Sequence, residues 1–393
     1  MKICDVTQFY SPRSGGVKRY LHEKIAYIER PESDDEHVLI VPGARTEMSA
    51  GKRSRVYSIR SPLISRMTQY RALLNLAAMD EIIARERPDL IESSDPYQVG
   101  WRAAWIGRQQ RIPVVAFYHS HFAQAYLRGP ARRLGKRAAA LAMRAAEAYV
   151  RSLYNRFEAT LVPSARLAEV LRGWGVTDTQ AVALGVNTDV FRRGADAAAT
   201  RARLGIPLGR KVLLYVGRLA PEKNTRTLFA AFALLAQRRA QAFHLLVIGD
   251  GQERGRLQEL LAETGQVTWL PYCAEAGELA QYYRAADLFV HPGIEETFGL
   301  VALESQACGT PVVGIRGSYM DDVILHEQAA WATENNAGAL ANAIDAMSRL
   351  DLPAMGVEAC VRVQEKYAWP RVFERLFSVY RRVVSDYKGA RSA

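Results

Sequence analysis

Nowhere in its 393 residues does the chain reach the roughly 18 uninterrupted apolar residues that a membrane-crossing helix needs. The opening stretch, MKICDV, is a short apolar run broken by Asp5. It lacks the longer apolar core and small-residue cleavage site of a secretory signal, so a cytoplasmic location is expected. Cysteine is scarce and scattered, at Cys4, Cys273, Cys308 and Cys360. That spacing excludes a disulfide framework or a zinc-ligand pattern and reads as four reduced thiols. The dinucleotide fingerprint G-x-G-x-x-G is missing after the first apolar run, which argues against a nicotinamide site there.

About half the residues are apolar and a quarter charged, the profile of a globular protein long enough for two cores. The net charge of +11 is unevenly placed. Arg128, Arg132, Arg133, Lys136, Arg137, Arg144, Arg151 and Arg156 are opposed only by Glu147 across residues 128–156. Such a run reads either as a solvated helix face or, because Leu134, Leu141, Met143 and Tyr149 interleave, as a face that meets an anionic membrane. No nucleic-acid-binding module accompanies the charge, and nucleic acid is not expected as a partner.

Short apolar runs alternate with amphipathic stretches from end to end. Strands are expected at residues 2–7, 37–41, 89–92, 113–118 and 159–162, then at 211–216, 243–248, 267–270, 287–291 and 311–315. Helical patterns lie between, for example over 70–86, 225–239 and 276–285. This alternation predicts an α/β protein of two Rossmann-like, doubly wound domains with parallel sheets. The pattern resets once: Leu184-Gly185-Val186-Asn187-Thr188 leads into a polar, Ala-rich stretch over 192–203, read as the linker. The expected boundaries are 1–187 and 188–369, with a C-terminal helix over 370–393 completing the first domain. In such sheets ligands sit beyond the carboxyl ends of the strands.

Four motifs fall at those ends. Ser14-Gly15-Gly16-Val17 precedes a helical run over 18–28, where glycines admit a close ligand and unpaired amides face a phosphate. Val216-Gly217-Arg218-Leu219-Ala220-Pro221-Glu222-Lys223-Asn224 carries two cations within reach of one diphosphate. Gly249-Asp250-Gly251 reads as a tight strand-to-helix connection. The fourth runs from His291 to Pro311: His291-Pro292-Gly293-Ile294-Glu295-Glu296-Thr297-Phe298-Gly299-Leu300, a helix expected from about Phe298, then Glu304 and Gly309-Thr310-Pro311. With about 1.5 Å of rise per helical residue, Glu296 and Glu304 stand on the order of 12 Å apart. That is too far for an acid–base pair on one glycosidic oxygen, and it suits two separate hydroxyl contacts along an extended ligand.

With these residues the sequence resembles family 4 of the retaining glycosyltransferases, which have the GT-B fold of two Rossmann-like domains facing across a cleft. Glu296 and Glu304 match its two glutamates in spacing, and Phe298-Gly299, Ala307, Gly309 and Pro311-Val312-Val313 match around them. Gly15-Gly16, Gly185-Val186-Asn187, Arg218, Lys223 and Tyr367-Ala368-Trp369-Pro370 extend the likeness along nearly the whole chain. The resemblance implies an N-terminal acceptor domain and a C-terminal donor domain. It implies that Glu304 binds ribose hydroxyls and Glu296 a hydroxyl of the donor sugar. Arg218, Lys223 and the Gly15-Gly16 loop would hold the leaving diphosphate, with the amides of Phe298, Gly299 and Leu300 pointing to a phosphate. His119 matches the family's N-domain histidine near the sugar, and His121 is a candidate on the acceptor side. Three departures stand out: Asn187 for the usual Asp, Gly293 for Ser, and the loop Arg316-Gly317-Ser318-Tyr319-Met320-Asp321-Asp322 for Gly-Gly-x-x-Glu.

The expected reaction is metal-independent, retaining transfer of a hexose of mannose or glucose type. The donor is a UDP- or GDP-linked sugar and the acceptor a lipid or saccharide hydroxyl. No cofactor is expected, and no metal, since the chain has no Asp-x-Asp triplet. A peripheral place at the inner face of the cytoplasmic membrane fits the basic run. The alternatives are an epimerase or phosphorylase of the same architecture, an NAD-dependent oxidoreductase with two Rossmann-like domains, and a silent sugar-nucleotide-binding module.

Overall fold

The computed structural model describes residues 1–11, 15–65, 69–119, 135–326 and 331–392. Ser14, His121, Arg128, Arg132 and Arg133 lie outside the described residues. The chain divides into two compact units, Met1–Leu184 with Trp369–Ala393, and Gly185–Ala368.

The first unit is built on an eight-stranded sheet of order β3-β4-β2-β1-β5-β6-β7-β8. Its strands are β1 (Lys2–Val6), β2 (Glu36–Gly43), β3 (Glu47–Ala50), β4 (Ser54–Arg60), β5 (Leu90–Ser93), β6 (Val114–Phe117), β7 (Ala159–Val162) and β8 (Thr179–Ala181). All pairings are parallel except β3 with β4. β6 is buried throughout and reads as an unbroken apolar run rather than an alternating one, while β5, equally buried, carries Glu92 and Ser93. β3, β4 and β8 were not expected from the sequence. β3 is short, polar and exposed along its length, and it gains its place only by pairing with β4 at the sheet edge.

A buried charge cluster lies under this sheet. Tyr20, Leu21, Lys24 and Ile28 form the buried stripe of the helix Gly16–Ile28. Lys24 is fully buried, and its ammonium bonds both Asp5 oxygens at 3.0 Å, Glu92 Oε1 at 3.2 Å and the Tyr380 hydroxyl at 3.0 Å. Tyr20 donates to Glu92 at 2.9 Å, Tyr380 donates to the same carboxylate, and His37 contacts Asp5. Burial alone would raise the Asp5 carboxyl, but Lys24 and His37 outweigh it and hold it well below the usual range. Tyr380 comes from the C-terminal helix Trp369–Ser392, whose Trp369, Phe373 and Phe377 pack against Tyr20 and Tyr27. The last segment of the chain thus completes the core of the first unit.

The second unit holds a five-stranded, wholly parallel sheet of order β11-β10-β9-β12-β13. The strands are β9 (Lys211–Val216), β10 (Phe243–Ile248), β11 (Val267–Leu270), β12 (Leu288–His291) and β13 (Val312–Gly314). Leu213, Leu245, Val247, Leu288 and Val290 pack with Leu228 and Phe232 of the helix Thr225–Arg238 and Leu340 and Ile344 of the helix Ala337–Met347. Within the stretch read as a linker, Ala197–Arg203 form a helix instead. Arg201 fastens it to this unit through the Ala285 carbonyl at 2.7 Å and Asp287 at 2.9 Å. The sequence shows Arg201 only as polar; its partners lie more than eighty residues away.

Replacing Lys24 with Met leaves Asp5 and Glu92 buried without their counter-ion. Breaking a buried ion pair in this way costs about 3–5 kcal/mol. We expect a loss of that size in urea unfolding followed by near-UV signal, and a change below about 1 kcal/mol would contradict the cluster's role.

Candidate active site

In the second unit the turns after β9 and β10 lie backbone against backbone. Gly249 has φ +140°, and a Cβ there would sit 1.9 Å from the Gly217 carbonyl oxygen. Gly217 N–H donates to the Ile248 carbonyl at 3.0 Å, and Leu219 N–H to that of Asp250 at 3.0 Å. Gly249-Asp250-Gly251 is therefore a tight connection that supports the neighbouring cation loop. Tyr215 steadies that loop by donating to the Arg218 carbonyl at 3.0 Å.

The two cations of the loop differ in setting. Arg218 is 61 % exposed, and its guanidinium meets Glu222 at 3.1 Å. Lys223 ends the 3-10 turn Pro221–Lys223, and its ammonium contacts the Glu296 carboxylate directly. Glu296 lies in the loop after β12, and its second oxygen is 3.3 Å from His291 Nε2 at the end of that strand. Burial alone would raise the Glu296 carboxyl. The Lys223 ammonium and the His291 contact outweigh that and hold it well below the usual carboxylate range. Lys223, Glu296 and His291 thus form one contact cluster around the carboxylate, and the Glu296 side chain keeps 18 % exposure.

The following helix begins at Leu300 rather than near Phe298, because Gly299 takes a left-handed turn with φ +73°. A Cβ at Gly299 would stand 2.6 Å from the Met320 sulfur. Met320 belongs to the loop that departs from the family pattern, so that loop packs under the helix start. The Phe298 ring is buried against Tyr367 at 5.9 Å, which leaves its main chain, not its ring, as the group available to a phosphate. Glu304 is buried on the helix Leu300–Ala307, where the Tyr283 hydroxyl donates to its Oε2 at 2.9 Å.

Gly15, Gly16 and His119 belong to the first unit. Gly15 caps the helix Gly16–Ile28, and both glycines are exposed. His119 follows β6, stacks on Phe117 with ring centroids 4.1 Å apart and meets the edge of Tyr20 at 5.0 Å. Its Nε2 shares a 3.0 Å hydrogen bond with Ser94 Oγ. Burial, and then the Lys24 ammonium, push its pKa down to about 3. At that value the imidazole is neutral at physiological pH.

Sequence reasoning missed Ser94, Tyr283, Asn224 and the Lys24 cluster. Lys24 did leave a signal, a cation on the apolar stripe at helical spacing with Tyr20, Leu21 and Ile28. Ser94 and Tyr283 left none, since a serine after a strand and a tyrosine on an amphipathic helix are ordinary.

The His119 ring nitrogens are expected not to titrate between pH 5 and 8 in nitrogen-15 spectra of histidine-labelled protein. A midpoint near the unperturbed value of about 6.5 would overturn this account of its burial.

Comparison with known proteins bears on these arrangements. Residues 14–190 match the family described as Glycosyltransferase Family 4, and residues 196–360 match Glycosyl transferases group 1. The chain is 31% identical over 376 residues to a GDP-mannose-dependent alpha-(1-6)-phosphatidylinositol dimannoside mannosyltransferase of Mycobacterium tuberculosis, covering 94% of this chain and 93% of that one. It is 30% identical over 336 residues to a GDP-mannose-dependent alpha-mannosyltransferase of Corynebacterium glutamicum, covering 82% and 74%. In structure it resembles the sucrose-phosphate synthase of Thermosynechococcus elongatus, with a TM-score of 0.74, 23% identity and coverage of 98% and 99%. The epimerase and oxidoreductase alternatives find no support among these relatives. A parallel α/β architecture in two units, a cation loop beside a glutamate at a strand end and relatives along almost the full length lead to one conclusion: the chain is a glycosyltransferase of family 4, with the GT-B fold.

Proposed function

We propose that this enzyme transfers mannose from GDP-mannose, with retention of configuration and without a metal ion, to a hydroxyl of a lipid-linked or free saccharide. The observation that carries the reading is the contact of Lys223 with Glu296 at the ends of β9 and β12. It sets a phosphate-binding cation beside an ionised carboxylate able to accept from a sugar hydroxyl. Arg218 and Lys223 hold the leaving diphosphate and neutralise the charge that grows on it. The helix start at Phe298, Gly299 and Leu300 adds amides, and Gly15 and Gly16 are read as a further phosphate-facing pair. Glu304 takes the ribose hydroxyls, and Glu296 takes a hydroxyl of the sugar. Neutral His119 hydrogen-bonds the sugar.

In the retaining reading the acceptor hydroxyl attacks from the face the diphosphate leaves, and the leaving phosphate oxygen takes its proton. Guanosine as the base and mannose as the sugar rest on the names of the two relatives similar over most of their length. A phosphoinositide mannoside is the first acceptor class to test, because the relative similar over nearly its whole length is named for one. Among the described residues no helix is long and apolar enough to cross a membrane. The helix Lys136–Tyr154 exposes Arg137, Arg144 and Arg151 together with Leu141, which supports peripheral contact with an anionic surface on the cytoplasmic side.

Incubation of the purified protein with GDP-mannose and a phosphoinositide mannoside is expected to add one hexose in mass spectra, with an α-anomeric signal in NMR. Activity should survive saturating chelator; loss of transfer that added divalent metal restores would end the metal-independent reading. GDP at a hundred times its dissociation constant should stabilise the fold by about 2.7 kcal/mol. Glu304→Ala is expected to weaken that stabilisation, and an unchanged thermal shift would remove the ribose assignment. Sedimentation with vesicles of anionic lipid should fall when Arg137, Arg144 and Arg151 are replaced by Gln, and equal binding would dismiss the membrane contact.

A further inference from the structure

Asn224 follows Lys223 and opens the helix Thr225–Arg238 as its N-cap residue. Asparagine is among the best helix caps when its side chain turns back to the first-turn amides. Here it makes no such bond. Its backbone is left-handed, with φ +57° and ψ +30°, a region that asparagine visits more readily than most non-glycine residues. The side chain is engaged elsewhere. Its Nδ2 donates to the Pro292 carbonyl at 2.8 Å and to Asn335 Oδ1 at 2.7 Å, while its Oδ1 accepts from the Thr227 hydroxyl at 2.7 Å.

These bonds join three segments that are far apart in sequence: the cation loop after β9, the loop after β12, and the turn before the helix Ala337–Met347. Lys223 immediately precedes Asn224, and His291 immediately precedes Pro292. The clasp therefore fixes the two residues that bracket Glu296 from opposite sides. We propose that Asn224 is a positioning residue, which sets the Lys223 ammonium relative to the Glu296 loop so that it meets the diphosphate as negative charge develops there. This rests on the reading of Lys223 and Glu296 as the donor site.

Glycine at this position accepts the left-handed backbone and removes only the clasp, so Asn224→Gly should leave the thermal midpoint nearly unchanged. Misplacing a catalytic group by about an ångström lowers rates about a hundredfold. We expect kcat with saturating donor to fall at least about tenfold, with the KM for the acceptor unchanged. Lys223→Ala and the Lys223→Ala/Asn224→Gly double variant complete a cycle. If Asn224 acts through Lys223, the glycine substitution has no further effect once the lysine is gone. Full activity of Asn224→Gly, or losses that multiply in the double variant, would overturn the proposal. Full activity of Lys223→Ala would instead overturn the donor-site reading on which it rests.

Discussion

Parallel pairing of β9 with β10 and β12 brings the carboxyl ends of three strands, Val216, Ile248 and His291, to one edge of the second sheet. Each strand leaves that edge through a turn, and the turns must share the space above it. The close approach of Gly249 to the Gly217 carbonyl is one result, since no side chain fits there. The other is that Lys223, leaving β9, meets Glu296, leaving β12, although 73 residues separate them. The chemistry attributed to this edge depends on that shared direction. In an antiparallel sheet successive turns would alternate between opposite edges.

The two units treat a carboxylate-paired lysine in different ways. Lys24 is sealed from solvent and balanced by Asp5 and Glu92, with Tyr20 and Tyr380 adding hydrogen bonds from their hydroxyls. Such a cluster has no reason to open, because each ion would lose its partner with no water to replace it. Its reach extends to His119, whose ring packs against Tyr20 and whose charged form Lys24 disfavours. Lys223 is also paired with a carboxylate, but both side chains keep partial exposure, 28 % and 18 %. In the proposed reading a diphosphate takes the lysine from Glu296 and a sugar hydroxyl takes its place on the carboxylate, which the partial exposure of this pair allows and the burial of the other does not.

Much of the fold was legible in the sequence because buried parallel strands leave unbroken apolar runs. β7, β9, β10 and β11 match the expected ranges residue for residue, and the other expected strands agree within two residues at each end. β3, β4 and β8 escaped notice because edge and outer strands carry mixed polar sequence and owe their form to a neighbour. The helix Ala197–Arg203 escaped for a related reason, as its Arg201 is anchored by Ala285 and Asp287. Arg218, Lys223, Glu296 and Glu304 were singled out by motif and spacing, and His119 by the family resemblance.

The sequence by itself determined the two-domain parallel architecture and the residue types available at each strand end, since these follow from local periodicity and fixed spacing, and its motifs carried the resemblance to the family. Tertiary structure alone decided which of those residues touch. It paired Lys223 with Glu296 while Arg218 went to Glu222, turned Asn224 from a helix cap into a clasp, and set Lys24 between two carboxylates with a tyrosine from the far end of the chain. The physical reason is the same in each case. Coulomb attraction and hydrogen bonding act over a few ångströms of space, and only the folded chain brings residues tens or hundreds of positions apart to within that distance.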